Sequence, residues 1–111
     1  MRILAIEREL PIPAHANLDD LRREEAAAVW DLSKRGIVRD IWFSVADRRA
    51  VLMLECGSLA GAREHLGTLP LVRHQLIDFN LMELRNYGGF ERLFGSPKDA
   101  APAKPVEPPE Y

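Results

Sequence analysis

The sequence has only one cysteine, Cys56, among its 111 residues. An internal disulfide is therefore impossible, and a lone thiol supplies too few ligands for a cysteine-based metal cluster. Basic residues are not in excess either, because fifteen Lys and Arg stand against seventeen Asp and Glu for a net charge of −2. That balance argues against a general nucleic-acid-binding protein.

Long apolar runs are also missing from the chain. None approaches the roughly 20 residues that cross a bilayer, and the apolar run at 1–9 is broken early by charged residues, so no secretory signal is expected. The sequence contains no glycine-rich phosphate loop, nucleophile elbow, zinc signature or dinucleotide fingerprint. These absences predict a cytoplasmic protein without a metal, a nucleotide cofactor, or a nucleic-acid or membrane partner.

The C-terminal stretch differs in composition from the rest of the chain. Residues 96–111 hold five of the eight prolines and almost no large apolar side chain. Such a segment cannot bury enough surface to offset the entropy lost on ordering. We therefore expect a folded domain at 1–95 and a flexible proline-rich tail at 96–111.

The body of the chain predicts the element order β-α-β-β-α-β. Alternating and helical periodicities predict strands at 2–8, 38–45, 50–56 and 77–86, helices at 18–35 and 58–69, and a helical turn around 91–94. Asn17 is the expected N-cap of the first helix and Gly36 the residue after its C-cap. Ser58 is the expected N-cap of the second helix, and Pro70 is expected to end it.

This order is typical of the split βαβ, or ferredoxin-like, fold of the α+β class. It has a four-stranded antiparallel sheet with both helices on one face. The strands nevertheless carry bulky apolar residues on both faces, because alternation places Trp42 opposite Ile41 and Phe43. An uncovered apolar sheet face predicts a partner, and the simplest partner is a second copy in a two-fold dimer.

Glu25 is the most informative candidate for chemistry. It falls within the apolar stripe of the first helix, which consists of Leu18, Leu21, Ala28, Val29 and Leu32. Burial would raise the pKa of its carboxyl toward the range in which it can act as a general base or acid at neutral pH. Arg22, three residues earlier, can pair with it. The alternative is a structural role, in a buried hydrogen bond or in an ion pair with Arg22.

Three further residues are candidates for substrate binding. Arg39 can hold a carboxylate in bidentate fashion, and Trp42 can form an apolar pocket wall. His74 lies in the segment before the last strand, at the expected mouth of a pocket. The alternatives are a solvated strand residue for Arg39, a core or interface residue for Trp42, and a surface histidine for His74.

The remaining titratable residues predict no site of their own. His15 and His65 have no metal-ligand spacing to another histidine, cysteine or acid. Glu7 lies at the end of the first strand, where solvent or a dimer seam would explain it. Arg48 and Arg49 alternate with acids and are typical of a solvated surface.

The chain resembles muconolactone δ-isomerase and its small relatives within the dimeric α/β-barrel group of ferredoxin-like proteins. The resemblance covers about residues 1–86. The features that carry it occur in order: Leu10-Pro11; a helix with Arg22, Glu25 and Leu32 that ends at Gly36; Arg39 and Trp42; and a helix from Ser58 that closes in Leu69-Pro70-Leu71. After that point the family usually continues with an aromatic and acid-bearing run, and this chain has Val72-Arg73-His74-Gln75-Leu76 instead.

The resemblance implies a cofactor-free isomerase of aromatic catabolism, which shifts a ring double bond by moving a proton within an unsaturated lactone. Glu25 would be the base with Arg22 beside it, and Arg39 and Trp42 would orient the substrate. The family also forms higher homo-oligomers built on the two-fold dimer. Two alternatives stay open: a cofactor-free monooxygenase-like enzyme of the same fold, and a non-enzymatic ligand-binding or interaction module.

Overall fold

The computed structural model describes residues 1–11 and 17–95, so the predicted tail lies outside the described residues. The elements follow the predicted order with one short helix added: β1 (Arg2–Glu9), α1 (Asp19–Lys34), β2 (Val38–Phe43), β3 (Ala50–Glu55), α2 (Leu59–Gly67), α3 (Pro70–Arg73) and β4 (Ile77–Leu84). A short 3-10 turn, Gly89–Leu93, follows the last strand. In the part of the chain described, no helix has the length and hydropathy needed to cross a bilayer.

The four strands form one antiparallel sheet in the order β2-β3-β1-β4. In the register of the two central strands, Ile3 of β1 lies opposite Leu54 of β3. On the other side of β1, Ala5 lies opposite Leu81 of β4. This arrangement confirms the predicted ferredoxin-like fold of the α+β class.

The helices pack on one face of this sheet and form the core with it. Because side chains alternate along a strand, every second residue of the central strands faces the helices. The buried core residues from the sheet and the two main helices include Ile3, Ala5, Leu52, Leu54, Leu32, Ala62 and Leu66. Trp42 pairs with Val51 on the opposite face, which no helix of the described residues covers and which we call the uncovered face, whereas Ile41 pairs with the buried Leu52. The predicted separation of Trp42 from Ile41 is therefore confirmed.

Each main helix has a side chain near its start that accepts a backbone N–H, although only α2 is capped by its N-cap residue itself. The N-cap position of α1 is Leu18, one residue later than predicted, yet Asn17 Oδ1 still accepts the backbone N–H of Asp19 at 3.0 Å. Ser58 is the N-cap of α2 as predicted, and its Oγ accepts the N–H of Gly61 at 3.0 Å. These caps satisfy helix donors that would otherwise lack partners.

The end of α1 is a Schellman motif centred on Gly36. The N–H of Gly36 donates to the carbonyl of Ser33, and that of Ile37 donates to the carbonyl of Leu32, both at 3.0 Å. Gly36 has φ +77, a conformation that is strained for residues with a Cβ. The predicted role of this glycine is confirmed.

The prediction that Pro70 ends the second helix is wrong. Helix α2 ends at Gly67, and Pro70 is the first residue of α3. Proline suits this position because its fixed φ is helical and the N–H that it lacks would have no partner there. His74, expected in the segment before the last strand, is therefore the C-cap of α3, and Arg73 is the last residue of that helix.

Candidate functional site

A cavity of about 710 Å³ lies between α1 and the sheet. This volume is within the roughly 300–1,000 Å³ typical of small-molecule sites. Its wall is mainly apolar, with side chains from α1, β2, α3 and β4 that include Val29, Trp30, Ile41, Phe43, Leu71 and Phe79. The cavity can therefore enclose a small molecule with an apolar body.

Helix α1 supplies one wall through residues that recur at helical spacing. Leu18, Arg22, Glu25, Ala26 and Val29 all line the cavity. They lie three or four residues apart in the chain, with one adjacent pair, so they share one face of the helix. The 3.6-residue period therefore places Arg22 and Glu25 at the same cavity.

The carboxylate of Glu25 is half-buried and held by α3. Its Oε1 accepts the backbone N–H of Leu71, the second residue of α3, at 3.0 Å. The N-cap residue of that helix, Leu69, supplies no side-chain cap, so Glu25 satisfies one of the helix's open donors from 46 residues away. This hydrogen bond connects α1 to α3 and fixes one oxygen of the carboxylate.

The surroundings of Glu25 favour its protonated form. Burial raises the pKa of Glu25, the Leu71 hydrogen bond acts in the opposite direction, and the nearby charge of Glu7 raises the pKa further. Within the described residues, Oε2 of Glu25 has no hydrogen-bond partner and is not sealed from solvent. A carboxylate with a raised pKa and one free oxygen can exchange a proton with a bound molecule.

Glu7 is a cavity residue, although its position at the end of the first strand predicted solvent or a dimer seam around it. Its Oε1 accepts the backbone N–H of Ala50 at 3.1 Å, and its side chain lines the cavity. The interpretation of Glu7 as a solvent or dimer-seam residue is therefore wrong. The signal that could have found it was alternation, because Glu7 follows Ile3 and Ala5 at two-residue spacing and so shares their helix-facing side.

Two arginines line the same cavity from different elements. Arg22 comes from α1, and Arg48 from the connection between β2 and β3. The expected ion pair between Arg22 and Glu25 does not form, since the ion pairs found in residues 1–11 and 17–95 involve other residues. Arg48 is exposed, as expected of a solvated surface residue, but it also lines the cavity, which nothing in the local sequence indicates.

The three predicted substrate-binding residues do not line this cavity. Trp42 lies on the uncovered sheet face with 55% of its surface exposed. Arg39 lies at a break in the β2 register, and its guanidinium lies beside Gly36. His74 is exposed at the end of α3. Within one chain, the structure brings together only Arg22 and Glu25 of the five predicted site residues.

The ionisable groups of the cavity comprise three acids and two arginines. Glu9 joins Glu7 and Glu25 on the acidic side. In the described part of the chain, no three His, Cys, Asp or Glu side chains are grouped in a way that could hold a metal ion. The arrangement can move a proton by means of a carboxyl group and can hold an anion by means of a guanidinium group.

No protein-family model matches the chain, and no curated protein matches it significantly in sequence. Among solved structures, the chain is similar to the crystal structure of a muconolactone isomerase. The two are 18% identical with a TM-score of 0.67, and the match covers 79% of this chain and 92% of the other. At this level of identity the likeness establishes the fold that the two proteins share.

Proposed function

We propose that this protein is a cofactor-free enzyme that moves a proton within a small, unsaturated, anionic molecule. The carboxylate of Glu25 carries the proposal, because it is half-buried, fixed through Oε1 and free at Oε2 beside an apolar cavity. Enzymes place general bases in such surroundings so that the pKa approaches the working pH. The fold shared with a muconolactone isomerase supports the same class of reaction.

The reaction begins at a carbon next to a carbonyl group of the substrate. Oε2 of Glu25 takes a proton from this carbon, and the electron pair of the broken C–H bond enters a conjugated enolate. The guanidinium of Arg22, on the same face of α1, stabilises the negative charge that develops. The proton then returns to a carbon two atoms away, and the double bond has moved with no net change in composition.

The wall of the cavity selects the body of the substrate. Phe43 and Phe79 enclose it from the sheet, and Val29 and Trp30 enclose it from α1. These apolar side chains suit a flat unsaturated ring: Phe79 and Val29 form the inner wall, and the more exposed Trp30 and Phe43 border the opening. An unsaturated lactone that carries a carboxylate fits both the apolar wall and the arginines.

Proton exchange in D2O tests the proposal directly. The protein is incubated with muconolactone, and deuterium incorporation and double-bond migration are followed by proton NMR. We expect the wild-type protein to catalyse both, and Glu25→Gln to reduce the rate by about 10²–10⁴-fold. Glu24→Gln is the matched control, because Glu24 is the exposed neighbour on the same helix and does not line the cavity. A fully active Glu25→Gln variant would overturn the proposal.

The second candidate is a ligand-binding module without turnover. The hydrogen bond from Leu71 to Glu25 favours it, because a carboxylate that connects two helices has a structural reason to be there. Under this alternative the wild-type protein binds the lactone but incorporates no deuterium. Binding measured by calorimetry beside the NMR assay separates the two candidates.

A further inference from the structure

Arg48 has a backbone conformation that arginine rarely adopts. Its φ is +54, in the left-handed region, where the Cβ of an L-residue meets the backbone and glycine is free of that strain. The turn holds it there, since the N–H of Arg48 donates to the carbonyl of Ser44 at 2.8 Å, and Ser44 N–H donates to the carbonyl of Arg49 at 2.8 Å. Strain of this kind is concentrated at functional sites.

The neighbouring charges leave Arg48 unengaged. Arg49 forms an ion pair with Asp47, with 3.0 Å between Nε and Oδ2. Among residues 1–11 and 17–95, Arg48 itself forms no ion pair, although it lines a cavity that contains three carboxylates. Both arginines of this turn are exposed, but Arg49 is paired with Asp47, whereas Arg48 borders the cavity.

Arg22 borders the same cavity from helix α1 and likewise has no ion-pair partner among the residues described. The cavity thus has a guanidinium on its helical wall and another on its hairpin wall, with mainly apolar side chains elsewhere. Guanidinium groups bind carboxylates through two parallel N–H···O bonds. The two arginines are the lining groups that attract an anion, since the carboxylates of Glu7 and Glu9 and the ionised form of Glu25 repel it.

We infer that Arg48 binds the carboxylate of a small unsaturated ligand, and that its left-handed turn serves to present the guanidinium to the cavity. The inference concerns ligand binding at the site of the proposed function, and it rests on that function only for the identity of the probe. Arg22 then remains available for the charge that develops during proton transfer. The contact between Arg48 and the ligand's carboxylate sets the selectivity of the site, and the apolar wall binds the remainder of the ligand.

The test compares muconolactone with its methyl ester, which lacks the charge. Dissociation constants of both are measured by isothermal titration calorimetry for the wild-type protein, Arg48→Gly and Arg49→Gly. We expect the wild-type protein to prefer the free carboxylate at least 10-fold. In Arg48→Gly this preference disappears, the affinity for the ester is unchanged, and Tm rises because glycine accepts the left-handed turn without strain. Arg49→Gly keeps the preference and has a lowered Tm.

Two results would overturn the inference: no preference of the wild-type protein for the carboxylate over the ester, or an Arg48→Gly variant that keeps the preference. A purely structural role for Arg48 predicts a lower Tm and an equal loss of affinity for both probes. The proposed function is tested separately by Glu25→Gln in D2O. If exchange fails while the carboxylate preference depends on Arg48, proton transfer is refuted and the binding inference stands.

Discussion

Glu7 and Glu25 line one cavity from different elements, and each carboxylate is held through Oε1 by a single backbone N–H. Glu7 comes from the sheet and accepts from Ala50 at 3.1 Å, whereas Glu25 comes from α1 and accepts from Leu71 at 3.0 Å. The two acids are close enough for the charge of Glu7 to raise the pKa of Glu25 beyond the effect of burial. The acidity of the proposed catalytic group therefore depends on a residue of a different element.

Replacement of Glu7 by glutamine tests this dependence. The pKa of Glu25 is expected to fall, because the substitution removes a negative charge that disfavours the second one, but burial still keeps the pKa raised. The amide oxygen of the new glutamine can still accept the backbone N–H of Ala50, so the start of β3 keeps this contact. Carbon-13 NMR of the glutamate carboxyls across a pH titration measures the shift.

Glu9→Gln is the control for that titration, because Glu9 lines the same cavity two residues along the same strand. Its charge is not among the causes of the raised pKa of Glu25, so this variant is expected to shift the titration less. Arg22 and Arg48 are the other charged groups of the cavity, and they are unchanged in both variants. An unaltered Glu25 titration in Glu7→Gln would contradict the coupling.

The stability of the fold should depend on pH through Glu25. Its pKa is raised in the folded state, so the folded protein binds this proton more tightly than the unfolded chain does. The resulting stabilisation is complete below the ordinary glutamate pKa of about 4.3 and is lost as the pH rises through the raised value. The free energy of unfolding of the wild-type protein, relative to Glu25→Gln, should therefore decrease across that window. Urea unfolding between pH 4 and 8 measures it, and a difference that grew with pH would refute the assignment.

Glu25 is also expected to support the packing of α3. In Glu25→Ala the Leu71 N–H loses its acceptor in a partly buried position, which costs about 1–3 kcal/mol of unfolding free energy. Glu25→Gln keeps an acceptor oxygen and should be less affected, and Glu24→Ala should change stability by no more than about 0.5 kcal/mol. Hydrogen exchange gives a local measurement, because only Glu25→Ala should accelerate exchange of the Leu71 amide. Equal protection of this amide in all variants would show that the contact contributes nothing.

The uncovered sheet face predicts a dimer. Ile6 is half-buried there in β1, paired with Val51 and Asn80, and Trp42 is exposed on the same face. Sedimentation should show a dimer at micromolar concentration, and Ile6→Glu should shift it to monomer, because a charge cannot be buried there without a partner. Val45→Glu, at a residue 98% exposed between β2 and β3, should leave the assembly unchanged. A wild-type protein that sediments as a monomer at micromolar concentration would contradict the prediction.

The element order and the ends of the main helices could be predicted because their causes are local. Two-residue alternation indicates the strands. The hydroxyl of Ser58 caps α2 three residues away, and Gly36 ends α1 through its own positive φ. Pro70 shows the limit of the same reasoning, because proline marks a helix boundary but suits the first position of a new helix as well as the end of an old one.

The site was predictable only where helical periodicity decides it. Arg22 and Glu25 share a helix face, and the period of α1 places both at the cavity. The contact of Glu25 with Leu71 joins positions 46 residues apart and depends on how two helices pack. The register break at Arg39 and the left-handed turn at Arg48 have no sequence marker, since neither residue is glycine, asparagine or proline.

The anchoring of α3 by a carboxylate from another helix has an evolutionary consequence. Any substitution at position 25 that removes the acceptor oxygen also removes this anchor of α3, so packing constrains this position whether or not the protein is a catalyst. Among the aromatic wall residues, Trp30 and Phe43 are exposed and can change at lower structural cost than Phe79, which belongs to the buried core. The presence of a glutamate at this position in a related chain would therefore be a poor guide to whether that chain is a catalyst.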